Sequence, residues 1–345
     1  MSKVLVTGGS GFLGGILIKR LLADGRTVTN IDLVPCELEH PNLRSVVGDI
    51  RNRALLDELL RERDHATIHH CAAILAHGAM NERELWSANV DGAKVLAEAA
   101  AAAGVRQVVY TSSNCLWGSG FSRPVREDDQ PAPVELYGRS KWEAEKILHS
   151  FADRFSTVSI RCPTIMDEGR LGLLSILFEF ISENRRVWVV GAGSNRYQFI
   201  YANDLVEAMV RVGSAGMTDI FGIGSDRVPT MRETYEHVIA NADSTSKVMS
   251  LPHAPTIAAM KLAYHLKVSP LGPYHYRMIA SDFEFDTSRI KQTLGWAPTL
   301  DNGEMLLKAY RYYQINKAEI YSRDQASAHR KPADMGVIRV LKWLS

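Results

Sequence analysis

The chain of 345 residues is poor in cysteine: Cys36, Cys71, Cys115 and Cys162 are widely scattered, with no CxxC pair and no histidine at metal-ligand spacing. This excludes a disulfide framework and a structural zinc site, and it points to a reducing, cytoplasmic setting. An excess of charge of either sign is missing too, since 40 Lys and Arg face 39 Asp and Glu. Nucleic-acid binding driven by phosphate neutralisation is therefore not expected. No apolar run approaches the ~20 residues of a membrane helix; the longest, Leu171 to Ile181, is interrupted by Gly172, Ser175 and Glu179. Met1 leads almost directly into an apolar strand, which leaves no room for a secretory leader. No internal repeat or low-complexity linker occurs. What is present is ample apolar material for one large α/β domain with a smaller lobe.

The first strand, Lys3 to Thr7, ends in Gly8-Gly9-Ser10-Gly11-Phe12-Leu13-Gly14 and runs into a helical stretch from Ile16 to Ala23. Strand, glycine turn and helix in this order make a dinucleotide-binding unit. Gly8 permits a turn with positive φ, Gly11 lets backbone N–H groups approach a pyrophosphate, and Gly14 lets helix and strand pack closely. The helix N-terminus adds partial positive charge and unpaired donors. Glycine turns also serve as plain connectors, so the second strand, Thr27 to Asp32, matters: it ends in a carboxylate 24 residues after Gly8. A carboxylate there accepts from a free ribose 2′-hydroxyl and repels a 2′-phosphate, which favours NAD over NADP.

Further strand candidates at Leu43 to Val47, Ala66 to His70, Gln107 to Thr111 and Thr157 to Arg161 alternate with helical stretches, among them Arg83 to Ala103 and Glu135 to Phe155. The alternation implies a Rossmann-type, doubly wound parallel sheet. Residues 1–161 are expected to form the NAD-binding domain, with about 197–212 returning to it. Residues 162–196 and 213–345 are expected to form the smaller substrate-binding lobe, with helices at Gly169 to Asn184 and Arg232 to Ala242. The last residues, Met335 to Ser345, mix apolar side chains with Arg339, Lys342 and Trp343. They read as a helix packed on the body or on a partner subunit, with weak peripheral membrane association as the alternative.

Two clusters carry chemistry. Tyr137 and Lys141 lie one turn apart on one face of a helix. An ammonium beside a phenol favours the phenolate, which can then accept an alcohol proton near neutral pH. Thr111, Ser112 and Ser113 end the fifth strand, with Ser113 24 residues before Tyr137. Hydroxyls at that end of a doubly wound sheet point into the ligand crevice. His69 and His70 read as satisfied strand-end histidines rather than ligands.

These residues resemble the extended short-chain dehydrogenase/reductases, a family that includes nucleotide-sugar epimerases and dehydratases and the 3β-hydroxysteroid dehydrogenases. The resemblance covers the first 210 or so residues strongly. Its ordered motifs are TGGSGFLG, the acid in NIDL, GDIRN at Gly48 to Asn52, HCAA at His70 to Ala73, NVDG at Asn89 to Gly92, TSSNCLWG at Thr111 to Gly118, and YGRSK. It implies that Gly8, Gly11, Phe12 and Leu13 line the pyrophosphate, Asp32 and Leu33 the adenosine ribose, and Asp49 and Ile50 the adenine. Cys71, Ala72, Ala73, Thr111 and Pro163 would lie along the cofactor, with Asn89 supporting the site. Ser113 would be the catalytic serine and Tyr137 the general acid/base, while Lys141 would hold the nicotinamide ribose and tune Tyr137. It also implies a homodimer built on the helices at Arg83 to Ala103 and Glu135 to Phe155.

The substrate side departs from the pattern. Dehydratases of this family resemble Thr-Asp-Glu where this chain has Ser113-Asn114-Cys115, so the acid and base that eliminate water are missing. Thr164 stands where nucleotide-sugar enzymes have a phosphate-binding asparagine, and Tyr197 where they have an arginine, with Arg196 one position earlier. Ser113, Asn114, Thr164, Arg196, Tyr197 and Arg277 are the candidate substrate residues. The reading is an NAD-dependent epimerase or dehydrogenase acting on a nucleotide-linked sugar; a dehydrogenase or reductase of a hydrophobic or lipid-linked alcohol is the alternative.

Overall fold

The computed structural model describes residues 3–322 apart from 62–64, 76–80, 119–120, 172–173, 267 and 269–278. Its strands are β1 (Lys3–Thr7), β2 (Thr27–Asp32), β3 (Leu43–Val47), β4 (His65–His70), β5 (Gln107–Ser113), β6 (Ser156–Cys162), β7 (Thr164–Met166), β8 (Val187–Val190), β9 (Phe199–Tyr201), β10 (Asp219–Gly222) and β11 (Val248–Leu251). Seven of them form one sheet in the order β10-β6-β5-β4-β1-β2-β3, and all its pairings are parallel. This is the doubly wound order of a Rossmann-type fold. Chain direction across the sheet reverses between β1 and β4, and a crevice opens there at the strands' carboxyl ends.

Side-chain alternation along the strands explains why both faces are covered. Val4 and Val6 enter one apolar layer with Leu17, Ile18 and Leu21 of α1 (Phe12–Ala23). Leu5 enters the opposite layer with Ala93, Leu96, Ala97 and Ala100 of α4 (Gly92–Ala103). Small alanines let α4 sit close to the sheet, and Gly104 ends it at φ +73°. β5 is buried at every position, as a central parallel strand should be.

The expected helix from Arg83 to Ala103 is not one α-helix. α2 (Arg53–Leu59) is followed by α3 (Glu82–Trp86), then a π-helical turn at Ser87–Asp91, and only then α4. α5 (Leu136–His149) stops short of the expected Phe155, and α6 (Leu174–Ser182) is shorter than the expected span from Gly169 to Asn184. The sheet also extends past the expected boundary at 213. β10 is its seventh strand, paired with β6, and Ile290 and Trp296 are buried in the same layer as β1. A four-residue strand ending in glycine is too short to show a period of two.

The smaller lobe has its own apolar cluster, including Met166, Phe178, Phe199, Phe283, Tyr310 and Tyr313. It is built on α6, α8 (Met231–Ala240), the β8–β11 pair and a long final helix, after α7 (Ala202–Gly213), α9 (His253–His265) and α10 (Ser288–Leu294) have been passed. That helix, α11 (Asn302–Ser322), the last among the described residues, has no counterpart in the sequence-based expectation. No helix among the described residues is long and apolar enough to cross a membrane. Arg277 and the tail from Met335 lie outside the described residues.

Candidate active site

The glycine turn sits at the switch point between β1 and β4. Gly8 has φ +74°, and a Cβ on it would lie 2.6 Å from the Ala72 backbone nitrogen. The turn after β1 and the segment after β4 are therefore pressed together, backbone to backbone, and Cys71 N donates to Thr7 O at 3.1 Å. A Cβ on Gly14 would lie 2.2 Å from Gly8 O, whereas one on Gly11 would meet only that oxygen, at 3.2 Å. Gly14 thus serves close helix packing as expected, and Gly11 leaves open space at the head of α1. Gly9, not singled out in the sequence, is as tightly enclosed: its Cβ would lie 2.2 Å from Asn30 Oδ1.

This cradle fits a dinucleotide. Phe12 and Leu13 open α1, whose first turn carries no acid, so its N-terminus is free to face an anion. Asp32 Oδ2 accepts from Ser10 N at 3.0 Å and Oδ1 from Val34 N at 3.2 Å, which ties the carboxylate at the end of β2 to the glycine turn and leaves further lone pairs. Leu33 beside it is exposed. Asp49 is held by Arg51, through Nε at 3.0 and 2.9 Å, and the guanidinium keeps its carboxyl below the usual range. Ile50 turns inward, and a Cβ on Gly92 would lie 2.7 Å from its Cδ1. Its side chain is thus core, which leaves its backbone as the part able to meet an adenine.

The catalytic candidates meet through one glycine. A Cβ on Gly138 would lie 2.1 Å from Cys115 O, so α5 can touch the loop after β5 only because residue 138 has no side chain. Tyr137 precedes it, half-buried, and Ser113 ends β5 with its Oγ accepting from Cys115 N at 3.1 Å. Lys141, one turn on, is buried, with Nζ 4.2 Å from the centre of the Tyr110 ring. Burial pushes its pKa down to about 8. Asn89, on the π turn, joins three segments: it pairs with both backbone groups of Ile74, at 2.7 and 3.0 Å, and donates to Ser140 Oγ at 3.0 Å. Ser140 in turn donates to Tyr137 O at 2.8 Å. A π turn is a frequent mark of a functional site, and it was not legible as such in the sequence.

Beneath these residues lies a polar layer that the sequence also concealed. Ser112 Oγ donates to Glu145 at 2.8 Å, and Arg161 meets the same carboxylate at 2.6 Å, with both ions buried. Arg161 also donates to Glu127 O at 2.9 Å. The pair clamps β5, β6 and α5 one turn beyond Lys141; removing one partner would strand a buried charge. His70 bonds Thr7 Oγ1 at 2.8 Å and stacks on Tyr110, and burial pushes its pKa down to about 3. Thr111 Oγ1 donates to Cys71 Sγ at 3.7 Å. Ala72 N donates to Thr7 Oγ1 at 3.3 Å, and Ala73 is half-buried beside it.

On the substrate side, Asn114 and Tyr197 are brought together: Asn114 Nδ2 donates to the Tyr197 hydroxyl at 2.5 Å. Tyr197 is buried, with its ring against Phe199 and Phe283. Arg196 points elsewhere. Its guanidinium donates to Val228 O and its backbone N to Asp282 at 2.7 Å, so it caps a loop. Pro163 is buried between β6 and β7, and Thr164 opens β7 in register with Phe199.

The chain matches the family model described as the NAD dependent epimerase/dehydratase family over residues 4–224. It belongs to that family and is an NAD-dependent enzyme. The protein y4nG of Sinorhizobium fredii is 34% identical to it, covering 99% of this chain and 86% of its own. A UDP-glucose 4-epimerase of Mycolicibacterium smegmatis is 28% identical, covering 92% of this chain and all of its own. A 3-beta-hydroxysteroid dehydrogenase of Mycolicibacterium neoaurum is 34% identical, but over only 61% of this chain and 60% of its own. Among solved structures, WbmG of Bordetella bronchiseptica in complex with NAD has the same fold, with a TM-score of 0.74 at 19% identity over 91% of this chain and 94% of its own.

Proposed function

We propose that the protein is a nucleotide-sugar epimerase that works through a transient keto sugar. The observation that carries this reading is the junction at Gly138, which brings the Tyr137 end of α5 against the Ser113 loop with Lys141 buried beneath. Ser113 Oγ hydrogen-bonds the reacting hydroxyl and holds it toward Tyr137. Tyr137, as phenolate, takes the hydroxyl proton and later returns it. Lys141 in its charged form favours that phenolate and reaches the nicotinamide ribose. Gly8, Gly11, Phe12 and Asp32 hold NAD, which supplies a reversible hydride acceptor when bound. Asn114 and Cys115 provide no acid and base pair for water loss, so the chemistry stops at oxidation and reduction.

The similarity to a UDP-glucose 4-epimerase over nearly all of both chains supports a sugar nucleotide as substrate. We assign the protein to the cytoplasm and expect a homodimer formed by the α3–α4 rod and α5. A hydrophobic alcohol is the competing substrate, favoured by Tyr197 in place of an arginine and by the hold of Val228 O on the Arg196 guanidinium. Incubation with UDP-, GDP- and dTDP-hexoses, followed by NMR of the sugar protons, and in parallel with a sterol, followed by NADH absorbance, separates the two. Interconversion of epimers without accumulation of NADH is the expected result. Stoichiometric NADH formed from a sterol, with every sugar nucleotide unchanged, would overturn it.

A further inference from the structure

Lys141 carries a buried ammonium that no carboxylate pairs among the described residues, and its Nζ makes no hydrogen bond to any of them. A buried charge ordinarily needs an opposite charge and hydrogen bonds. The elements packed around Lys141 supply neither. His70 ends β4 and is neutral, since burial pushes its pKa down to about 3. Cys71, after β4, and Cys162, on β6, are neutral thiols, pushed up by burial to about 11 and about 12. Cys115 follows β5, and Tyr137 and Glu145 share α5 with Lys141. Glu145 is one turn on, but Ser112 Oγ at 2.8 Å and Arg161 at 2.6 Å take its carboxylate.

What meets the ammonium directly is a ring. Lys141 Nζ stands 4.2 Å from the centre of Tyr110. That ring is fixed in place: Tyr110 is 1% exposed, its hydroxyl donates to Lys141 O at 3.3 Å, and His70 stacks on it with centroids 5.3 Å apart. Burial raises the Tyr110 phenol well above its ordinary range, so the ring stays uncharged.

We propose that the face of the Tyr110 ring holds the Lys141 ammonium in place of a counter-ion, which makes Tyr110 a positioning residue for proton transfer at Tyr137. A ring face attracts a cation through its quadrupole. It carries no net charge, so it leaves intact the positive potential that favours the Tyr137 phenolate, which a carboxylate at the same place would cancel. It also leaves ammonium N–H donors for the Tyr137 oxygen and a ribose hydroxyl. The positioning role rests on the proposed proton path through Tyr137; the hold itself does not.

The test varies the ring face at nearly constant shape. Tyr110→Phe keeps the face, phenylalanines with two and then three ring fluorines at the same site weaken it, and Tyr110→Leu removes it. Urea unfolding between about pH 6 and about pH 10.5 reads the charge of Lys141 without substrate or NAD. In the wild type, stability begins to rise at about pH 8, where the folded-state ammonium loses its proton. Tyr110→Phe keeps that onset, fluorination lowers it stepwise, and Tyr110→Leu lowers it by about one pH unit. The alkaline limb of kcat/KM, set by the Tyr137 and Lys141 pair together, moves down by the same amount. In a Lys141→Met background the fluorines shift nothing. An onset that fluorination leaves unmoved would overturn the hold, and so would a Tyr110→Leu variant that loses stability equally at every pH. The fluorinated forms open no cavity, so they decide the matter even where Tyr110→Leu fails to fold. A lowered onset with an unmoved kcat/KM limb would overturn the positioning role. If the wild type converts no sugar nucleotide and no sterol, the proposed function fails, and the unfolding curves still decide on the hold.

Discussion

The two walls of the crevice are built on different terms. On the cofactor side the decisive contacts are between backbones, at the three positions among the described residues where a Cβ would come within 2.6 Å of a main-chain atom: Gly8 against Ala72, Gly14 against Gly8 and Gly138 against Cys115. On the substrate side they are between side chains, or from side chain to carbonyl: Asn114 with Tyr197, Arg196 with Val228, Asn302 with Tyr197 O. A backbone approach tolerates no added atom, whereas a side-chain pair can be exchanged for another pair at modest cost. The first wall is therefore suited to a constant cofactor, and the second is where one fold can host different substrates.

The sharpest test of the cofactor wall is chemical. Tyr137→Phe is expected to lower turnover about 10³-fold with NAD affinity and melting temperature unchanged, read by epimer formation and by calorimetry. A loss below tenfold would remove Tyr137 from the proton path. Gly14→Ala comes next, since its methyl group has backbone on the far side; urea unfolding should show a loss of about 3 kcal/mol. If it costs no more than a side-chain exchange on the substrate wall, the contrast between the walls fails.

Lys141→Met separates burial from charge. The folded-state pKa of Lys141 is about 8 against an ordinary 10.5, with burial the largest cause. Below pH 8 the lysine is charged in both states, and the folded state bears the full cost of burying it. Between about 8 and 10.5 the unfolded chain binds the extra proton, so stability rises with pH, by about 3 kcal/mol in all. The variant should lack that rise, and wild-type and variant curves that run parallel from pH 7 to 10.5 would refute the assignment. The smallest effect belongs to the substrate wall. Tyr197→Phe leaves the buried Asn114 amide short of an acceptor, at a cost of about 1–2 kcal/mol. It should change the KM for substrate more than kcat, and the reverse pattern would place Tyr197 in the chemistry.

Much of the cofactor wall was legible because its signals are local. β1, β2 and β3 have the expected bounds, and the glycine turn, Asp32 and the Tyr137–Lys141 pair lie where the spacing placed them. The Asn89 π turn was not legible, because the five residues of α3 before it are too few to set an apolar register in which a one-residue slip would show. Gly138 reads as a helix-weakening residue until the Cys115 carbonyl is known to lie against it. The pairing of Glu145 with Arg161 and the hold of Val228 O on Arg196 leave no mark in local spacing, because each joins separate segments of the chain.

By itself, then, the chain order determined the parallel sheet, the dinucleotide turn and the residues able to move a proton. These follow from backbone periodicity and from chemistry within a few residues. Only the tertiary structure decided how closely α5 approaches β5, which charges are buried, and that Tyr197 faces Asn114 rather than open crevice. Those depend on contacts between segments 16 to more than 80 residues apart, whose geometry is set by the packing of the whole molecule rather than by any local spacing.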